Sequence, residues 1–370
     1  MVRTKNLRAS FRMSPPAKIP VTLFTGFLGS GKTTLLNRIL AAPQYADSAV
    51  IINEFGAISI DHLLVATPRE NMVVLESGCV CCTVQGELVD TLIDLMRQRG
   101  KNGVPAFRRV LVETTGLADP IPILEVLAAH PDIPVYYALH SVVTLVDGVN
   151  GLGQLEEFRE SRRQVAVADR LLISKSDLTD AQALAALEMK LAELNADAPR
   201  LTIDPRTADT QLLFGAAYLD IAQGRGDVGE WLRDGASART RGGFVAHTGN
   251  VQTFSIRHEG PVTRAGLVLW LDLIAGLKGR DLLRVKGVFN VEGEPVAVHA
   301  VQRIVHEPAP LPTWPDEERA SRIVFITRGI PREAIEQTLD VLGYVAPAAN
   351  RATLDPDAYA RFVAAVGKFH

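Results

Sequence analysis

The sequence has little cysteine, no long apolar run and no strong excess of charge of either sign. Its 370 residues carry 39 Lys and Arg against 42 Asp and Glu, and the net charge of −3 gives no electrostatic footprint for nucleic acid. No segment approaches the roughly 18 apolar residues of a membrane span. We therefore expect no nucleic-acid partner and no membrane partner, and we predict a cytoplasmic protein.

The N-terminus and the histidines also lack the patterns of common special classes. Residues 1–18 hold basic residues and no acid but no continuous apolar core, so they are interpreted as a basic, solvated tail. There is no His-rich tract of the kind used for bulk metal storage. The C-terminal histidines are predicted to be isolated and structural or solvated, and they are His247, His258, His299 and His306.

The cysteines are few but concentrated. All three, Cys79, Cys81 and Cys82, fall in one short stretch, and an odd number so close together cannot form the disulfide framework of a secreted fold. Thiolates suit Zn²⁺ or Cu(I), and three sulfurs leave one position of a tetrahedral ion for water, a distant side chain or a partner. We predict a transition-metal site that can release its metal. Buried cysteines that act as small hydrophobes and a redox-active pair stay open as alternatives.

A glycine-rich stretch from Gly26 to Thr34 reads G-F-L-G-S-G-K-T-T between an apolar run and a helical pattern. It matches the phosphate-binding loop G-x-x-x-x-G-K-[ST] in strand–loop–helix context. Backbone N–H groups of such a loop point at phosphate oxygens, and glycines allow conformations that a Cβ would block. Lys32 is expected to reach the β- and γ-phosphates and Thr33 to hold Mg²⁺. The predicted nucleotide-binding residues here are Gly26, Gly29, Ser30, Gly31, Lys32, Thr33 and Thr34.

Two apolar, strand-like runs end in acids, Glu54 and Glu113. An acid at the end of a buried strand beside a phosphate loop is where Mg²⁺ is held, so Glu113 is predicted to be catalytic together with Lys32 and Thr33. Gly116 is predicted to meet the γ-phosphate and to move when it leaves. Glu54 is a candidate for the metal or Mg²⁺ region, with a surface acid near a turn as the alternative.

A later strand-like run, Leu171 to Ile173, ends in Ser174-Lys175-Ser176-Asp177. We interpret these residues as a base-specificity loop. The Asp177 carboxylate can accept hydrogen bonds from the ring N–H and the exocyclic amine of guanine, a donor pair that adenine lacks, so GTP is predicted over ATP. The stem of Lys175 is expected to pack on the base, and Ser174 can donate one hydrogen bond.

The order of the elements predicts two domains. Strands that alternate with helices to about residue 205 predict an α/β fold with a doubly wound, mostly parallel sheet of the P-loop NTPase type. Residues 19–223 are assigned to this GTPase domain and residues 224–249 to an exposed connector. Residues 250–370 are predicted to form a smaller α+β domain with an antiparallel sheet, including strands at Leu282–Val291 and Val296–Val305. A helix is predicted from Ile330 to Leu342.

Taken together, these motifs resemble the CobW family of P-loop metal-homeostasis GTPases. The resemblance runs from Ile19 to about Leu342 and rests on the phosphate loop, Asn53 to Gly56, Gly78 to Cys82, Glu113 to Pro120, Leu283 to Gly287 and His299 to Gln302. It implies a metallochaperone in which GTP hydrolysis is coupled to delivery of zinc, or in some members cobalt or iron, to a client metalloprotein. It also implies that Cys79, Cys81 and Cys82 bind that metal and that Lys32, Thr33 and Glu113 serve the nucleotide and Mg²⁺.

Two departures from the family pattern change the expectations. Ser174 stands where Asn or Thr is usual, which predicts a lower affinity for guanine. Ala57 stands where many members carry another acid, so the metal site relies more on sulfur and favours a softer ion such as Zn²⁺.

Two rival functions stay open. A P-loop phosphotransferase would need an acceptor site and would not need clustered cysteines. A metal-binding activator module, such as an activator of nitrile hydratase, would keep GTP mainly as a structural ligand. The sequence predicts neither the client nor the physiological metal, and a homo-oligomer stays open.

Overall fold

Two β-sheets organise the molecule. The computed structural model describes residues 18–55, 72–77, 83–101, 106–196, 198–209, 213, 228, 251–278, 281–301 and 304–346. Within these residues one sheet has seven strands and the other has six. Most of the predicted basic tail, and the predicted connector apart from Val228, lie outside the described residues.

The first sheet is parallel throughout its described pairs, in the order β3-β2-β4-β1-β5-β6-β7. Its strands are β1 Ile19–Gly26, β2 Ser48–Phe55, β3 Met72–Ser77, β4 Arg109–Thr114, β5 Tyr137–Asp147, β6 Arg170–Ser174 and β7 Arg200–Thr202. Because parallel strands end at the same edge of a sheet, the segments that follow them meet there. The central strand β1 therefore delivers the phosphate loop between the ends of β4 and β5.

Helices cover both faces of this sheet. They are α1 Lys32–Ala41, α2 Thr83–Gln98, α3 Ile121–Ala129, α4 Ile133–Tyr136, α5 Gly151–Glu157, α6 Arg159–Ala166 and α7 Ala181–Leu194. Successive residues of β1 face opposite cores, since Leu23 packs with α2 and α3 whereas Phe24 packs with α1. The doubly wound α/β prediction is confirmed. In the described ranges, no helix has both the length and the apolar composition needed to cross a bilayer.

The second sheet is antiparallel, in the order β11-β10-β9-β13-β8 with β12 beside β10. Its strands are β8 Val251–His258, β9 Leu282–Val291, β10 Glu294–Val301, β11 Ile304–Val305, β12 Ala309–Pro310 and β13 Ser321–Arg328. Helices α8 Arg264–Lys278 and α9 Arg332–Glu336 pack on one face, where the fully buried Trp270 contacts Phe289 and Phe325. The predicted smaller α+β domain with an antiparallel sheet is confirmed.

Two predicted elements of this domain are wrong in extent. Val296–Val305 is not one strand, because the chain reverses after Val301 and β11 pairs back onto the end of β10. Apolar residues stand on both sides of residues 302 and 303, so the strand-like run extends past the reversal. The predicted helix Ile330–Leu342 also stops early, and a 3₁₀ turn follows at Leu339–Gly343.

A side-chain hydrogen bond accounts for the short helix. The Thr338 hydroxyl donates to the Ile335 carbonyl oxygen at 2.7 Å and accepts from Trp270 Nε1 at 2.8 Å. Threonine hydroxyls that bond to nearby carbonyls compete with the helical backbone pattern. The segment after α9 is therefore shaped by its contact with α8 rather than by helix propensity.

The other face of the antiparallel sheet packs against the first domain. Leu283, Val301 and Ile326 share one buried cluster with Ile19 and Leu139. This explains why β9 is buried along nearly its whole length. Val228 is half-buried and packs beside Val288 and Ala297, so at this residue the predicted exposed connector is wrong.

Two histidines meet at this junction. The rings of His299 and His306 stack with centroids 4.8 Å apart, which corrects the prediction that they are isolated. His299 Nε2 lies 3.9 Å from Asp169 Oδ1, and the buried Arg284 donates to Asp169 and to the Ala168 carbonyl oxygen. The two histidines meet because β11 folds back beside β10, where the His306 N–H donates to the His299 carbonyl oxygen at 3.0 Å. That reversal was not predicted, which is why isolation was expected.

Candidate nucleotide and metal site

The phosphate loop connects β1 to α1 by a path that requires glycine at its start. Gly26 has φ 138°, and a Cβ there would lie 2.2 Å from the Leu145 carbonyl oxygen of β5. Gly29 and Gly31 also have positive φ, 76° and 97°. Gly31 is the N-cap of α1 and has no side chain to bond the first N–H groups of that helix. The helix N-terminus is thereby left open towards an anion.

Polar groups line the inside of this loop. The buried Lys32 donates from Nζ to the carbonyl oxygens of Gly26 at 2.8 Å and Phe27 at 3.2 Å, so its ammonium lies within the loop. Ser30 is fully buried, and its Oγ has no hydrogen-bond partner among the described residues. Thr34 is exposed in the first turn of α1. A cationic, glycine-lined cradle with a buried hydroxyl fits the phosphates of a nucleotide.

Thr33 and Glu113 are brought together from two elements. The Thr33 hydroxyl donates to Glu113 Oε1 at 2.8 Å, which joins α1 to the end of β4. The Thr114 hydroxyl donates to the Thr25 hydroxyl at 2.9 Å and fixes the ends of β4 and β1 side by side. A hydroxyl and a carboxylate are the hard oxygen ligands that Mg²⁺ prefers. The donor set beside the loop therefore fits a magnesium ion.

The segment after Glu113 lies directly against the phosphate loop. A Cβ built on Gly116 would be 2.5 Å from the Leu28 backbone nitrogen. The buried Gln164 of α6 donates from Nε2 to the carbonyl oxygens of Gly116 at 3.1 Å and Ala118 at 3.0 Å. The sequence analysis did not predict Gln164. The only local sign of it is a polar residue next to the apolar Val165 in a short helix.

Ser174 ends β6 with its hydroxyl turned to the phosphate loop. Its Oγ donates to the Ser30 carbonyl oxygen at 2.7 Å and lies 3.3 Å from the Val146 carbonyl oxygen, and the residue is fully buried. The proposed base loop and the phosphate loop are thus joined directly. A hydrogen bond from Ser174 to a base stays a prediction.

The rest of the proposed base loop presents one exposed carboxylate. Asp177 is exposed in a 3₁₀ turn, Ser176–Leu178, and Lys175 precedes that turn. Lys175 Nζ donates to Asp147 Oδ2 at 2.7 Å, and Asp147 is the buried last residue of β5. The sequence analysis did not predict Asp147, although an acid at the end of a strand-like run is the same pattern that pointed to Glu54 and Glu113.

A turn after β7 completes the surroundings of the loop. A Cβ built on Gly31 would lie 3.2 Å from Pro205 Cγ, so Pro205 packs against the start of α1. Asp204 shapes this turn by accepting from the Arg206 backbone N–H at 2.9 Å. The short strand β7 was not predicted, and this contact was missed with it.

The predicted metal residues lie close to, or outside, the ends of the described ranges. Glu54 lies in β2, where its backbone is in register with Glu76 of β3. Cys79, Cys81 and Cys82 lie outside the described residues, between the end of β3 at Ser77 and the start of α2 at Thr83. Within the described residues, no group of three or more His, Cys, Asp or Glu side chains could hold a metal ion.

Comparisons with known proteins match both parts of the chain. The family model described as the CobW/HypB/UreG nucleotide-binding domain matches residues 20–202. The model described as the cobalamin synthesis protein CobW C-terminal domain matches residues 251–342.

Individual relatives match over most of their length. The zinc chaperone YjiA of Escherichia coli is 35% identical over 320 residues, which covers 86% of this chain and 96% of YjiA. The zinc chaperone CobW of Pseudomonas aeruginosa is 29% identical over 362 residues, covering 88% and 92%. The crystal structure of Zn(II)-bound YjiA GTPase matches with a TM-score of 0.65 and 28% identity, over 88% of this chain and 99% of that one.

Proposed function

Because the chain belongs to the CobW/HypB/UreG family and carries the CobW C-terminal domain, we propose that it is a GTP-hydrolysing zinc chaperone. Cys79, Cys81 and Cys82 bind Zn²⁺ and pass it to a client metalloprotein in a nucleotide-dependent way. Relatives named zinc chaperones, and the zinc-bound GTPase of similar fold, support this proposal.

The observation that carries the proposal is a shared edge of the parallel sheet. The phosphate loop leaves the end of β1, and the cysteine segment leaves the end of β3, in the order β3-β2-β4-β1. Ligands of open α/β sheets bind outside the carboxyl ends of the strands. A nucleotide and a metal ion bound by these segments would therefore lie on the same side of the molecule, where one can influence the other.

The nucleotide chemistry follows from the residues of the loop. Lys32 and the backbone N–H groups at the start of α1 hold the phosphates, while Thr33 and Glu113 hold Mg²⁺. Magnesium bound there neutralises charge that develops on the transferred phosphoryl group. Gly116 meets the γ-phosphate, and Asp177 selects guanine by accepting its two donors.

Coupling would pass through adjacent strand ends. Glu54 in β2, the cysteine segment after β3 and Gly116 after β4 belong to three neighbouring strands. A change in the segment after β4, at the proposed γ-phosphate site, can thus be passed to the cysteine segment through neighbouring strand ends on the same side of the sheet. Because coupling between two sites is reciprocal, bound metal must also change the affinity for GTP.

The test measures Zn²⁺ and Co²⁺ affinity by competition with a chelating dye, in the presence of GTP and Mg²⁺, of GDP, and without nucleotide. We expect the tightest binding with GTP, and we expect the Cys81→Ala/Cys82→Ala variant to lose that increment. Phosphate release is followed in the same samples with and without metal.

Each part of the proposal can fail separately. Equal zinc affinity in all three nucleotide states would contradict the coupling. Bound GTP that persists without phosphate release, even with metal and a client, would contradict the GTPase and favour the activator module. An acceptor-dependent burst of GDP would favour a phosphotransferase.

A further inference from the structure

Asp147 is a buried carboxylate that the chemistry described above does not use. It ends β5 with 1% of its side chain exposed. Its Oδ1 accepts from the backbone N–H groups of Val149 at 2.9 Å and Asn150 at 3.1 Å. Its Oδ2 accepts from Lys175 Nζ at 2.7 Å and from the Asn150 side-chain amide at 3.3 Å. Every oxygen of this carboxylate is therefore engaged by donors.

Lys175, the partner of Asp147, adopts a backbone conformation that is rare for its type. Its φ of 56° lies in the left-handed region, where residues other than glycine are uncommon. Such conformations persist where surrounding contacts impose them, and they cluster at ligand sites. The ion pair with Asp147 is one such contact, and the left-handed residue starts the 3₁₀ turn that presents Asp177.

The backbone next to the ion pair joins the same two strands. Asp147 is in register with Ser174 at the end of the β5–β6 ladder, and the Gly148 N–H donates to the Ser174 carbonyl oxygen at 2.7 Å. Ser174 in turn bonds to Ser30 of the phosphate loop. The Asp147–Lys175 pair thus sits between the loop assigned to the base and the loop assigned to the phosphates.

The charge state of Asp147 suits this position. Burial alone would raise the pKa of its carboxyl group, but hydrogen bonds from Lys175, Asn150 and Val149 outweigh burial and hold the pKa below its ordinary value. The group therefore stays ionised at neutral pH. Asp147 is buried, but the Lys175 side chain is 36% exposed. An ion pair open to solvent on one side contributes little to stability in general, so its place beside the exposed turn that carries Asp177 points to another role.

We propose that Asp147 is a positioning residue for base recognition: it anchors Lys175 in the left-handed conformation, so that the Lys175 stem and Asp177 are set for guanine. The inference rests on the proposed function, because it needs a guanine nucleotide at this loop. It adds a residue on a different strand from the base-loop motif, and it makes the discrimination between guanine and adenine depend on β5 as well as β6.

The experiment measures the dissociation constants of GDP and ADP by calorimetry, with Mg²⁺, on the full chain. The two ligands share ribose and diphosphate and differ only in the base. The variants are Asp147→Asn, Lys175→Met and the double variant. Glu193→Gln is the matched control, since it removes a carboxylate 3.0 Å from Lys190 on α7.

We expect Asp147→Asn to weaken GDP binding about tenfold or more. Without the charged partner, Lys175 no longer holds Asp177 in place for guanine, and a site built to hydrogen-bond its ligand loses much affinity when those bonds are not made. ADP binding should change by less than about twofold. The double variant should bind GDP no more weakly than the single variant that binds GDP more weakly, because the two residues act as one unit. Glu193→Gln should leave both constants unchanged.

Three results would overturn the inference. One is an unchanged ratio of the two constants in both Asp147→Asn and Lys175→Met. Another is an equal loss of GDP and ADP binding with a lower melting temperature, which would make the pair structural. If the unmodified chain itself shows no preference for GDP, then both the inference and the guanine selectivity of the proposed function fail. Because the Lys175 side chain is 36% exposed, we expect Lys175→Met to fold, and it keeps the test valid if Asp147→Asn does not fold.

Discussion

A single methyl group has no room at Gly116. A Cβ there would approach the Leu28 backbone within 2.5–2.7 Å, and backbone atoms cannot turn aside as a flexible side chain can. The segment after β4 and the phosphate loop would have to separate. The proposed γ-phosphate site is therefore sensitive to the addition of one methyl group at Gly116.

We predict that Gly116→Ala lowers the single-turnover rate of GTP hydrolysis at least about tenfold, because small displacements of positioned groups have large effects on rate. GDP affinity should change by less than about threefold, since GDP has no γ-phosphate for Gly116 to meet. Gly153→Ala is the control, because a Cβ at Gly153 in α5 meets nothing within 4 Å. Equal rates for the two variants would contradict the proposed role of Gly116.

The sequence predicted some site residues at this scale and missed others for a physical reason. Lys32 and Thr33 belong to a contiguous motif, and Glu113 ends a recognisable strand, so local patterns were enough to assign Thr33 and Glu113 to one Mg²⁺ region, and the structure shows the two side chains in contact. Gln164 and Pro205 reach the loop only through the packing of α6 and the turn after β7. No periodicity or spacing encodes such contacts.

At the scale of elements, α6 acts as a brace for the segment after β4. Gln164 bonds to the carbonyl oxygens of Gly116 and Ala118, and Arg163 forms an ion pair with Asp119. Phe158, just before this helix, packs against Phe27 of the phosphate loop with the rings tilted by 37° and their centroids 4.6 Å apart. One short helix thus contacts both loops that would surround the phosphates.

We predict that Gln164→Met loosens this segment while keeping a side chain of similar size. Two buried carbonyl oxygens lose their donor, which costs about 1–3 kcal/mol in the free energy of unfolding. Urea denaturation measures the loss, and amide hydrogen exchange should rise in residues 115–119. Gln182→Met makes the same change at an exposed position of α7 and should leave both unchanged. Unaltered exchange in Gln164→Met would contradict the brace.

The same scale shows where sequence patterns succeed. Leu282–Val291 was predicted with the bounds that β9 has, because its apolar residues are interleaved with Arg284, Lys286 and Asn290 between turn signals, as is typical of a strand. The strand after it was predicted too long, since apolar residues continue on both sides of the reversal between β10 and β11. The helix after Pro331 was predicted too long because its end depends on a bond between Thr338 and Trp270 of another helix.

At the scale of the whole molecule, the two domains meet around the buried His299 and the half-buried His306. Burial lowers the pKa of His306 to about 4, with Arg284 and Lys18 adding to this effect and Asp169 opposing it. The pKa of His299 is also well below its ordinary value of 6.5, through burial first and then through His306, Arg284 and Lys286. Both rings are therefore neutral in the folded protein at pH 7.

We predict that the protein loses stability as the pH falls from 7 to 5. Unfolded histidines take up protons near their ordinary pKa of 6.5, whereas the folded pair does not, so the unfolded state binds more protons in this window. The loss should be on the order of 4 kcal/mol, about 2 kcal/mol for each ring. Urea denaturation at several pH values measures it, and His306→Gln should give a shallower dependence. Parallel curves for the two proteins would contradict this.

The placement of Trp270 has an optical consequence. All three tryptophans follow residue 230, and Trp270 is sealed in the core beneath the antiparallel sheet, so residues 19–202 contain no indole. A change in Trp270 emission on adding GTP has to be relayed through the face where Leu283, Val301 and Ile326 enter the other core. In a variant with Trp231 and Trp314 replaced by Phe, fluorescence can therefore report, without any label, whether nucleotide binding changes the surroundings of Trp270 in the neighbouring domain.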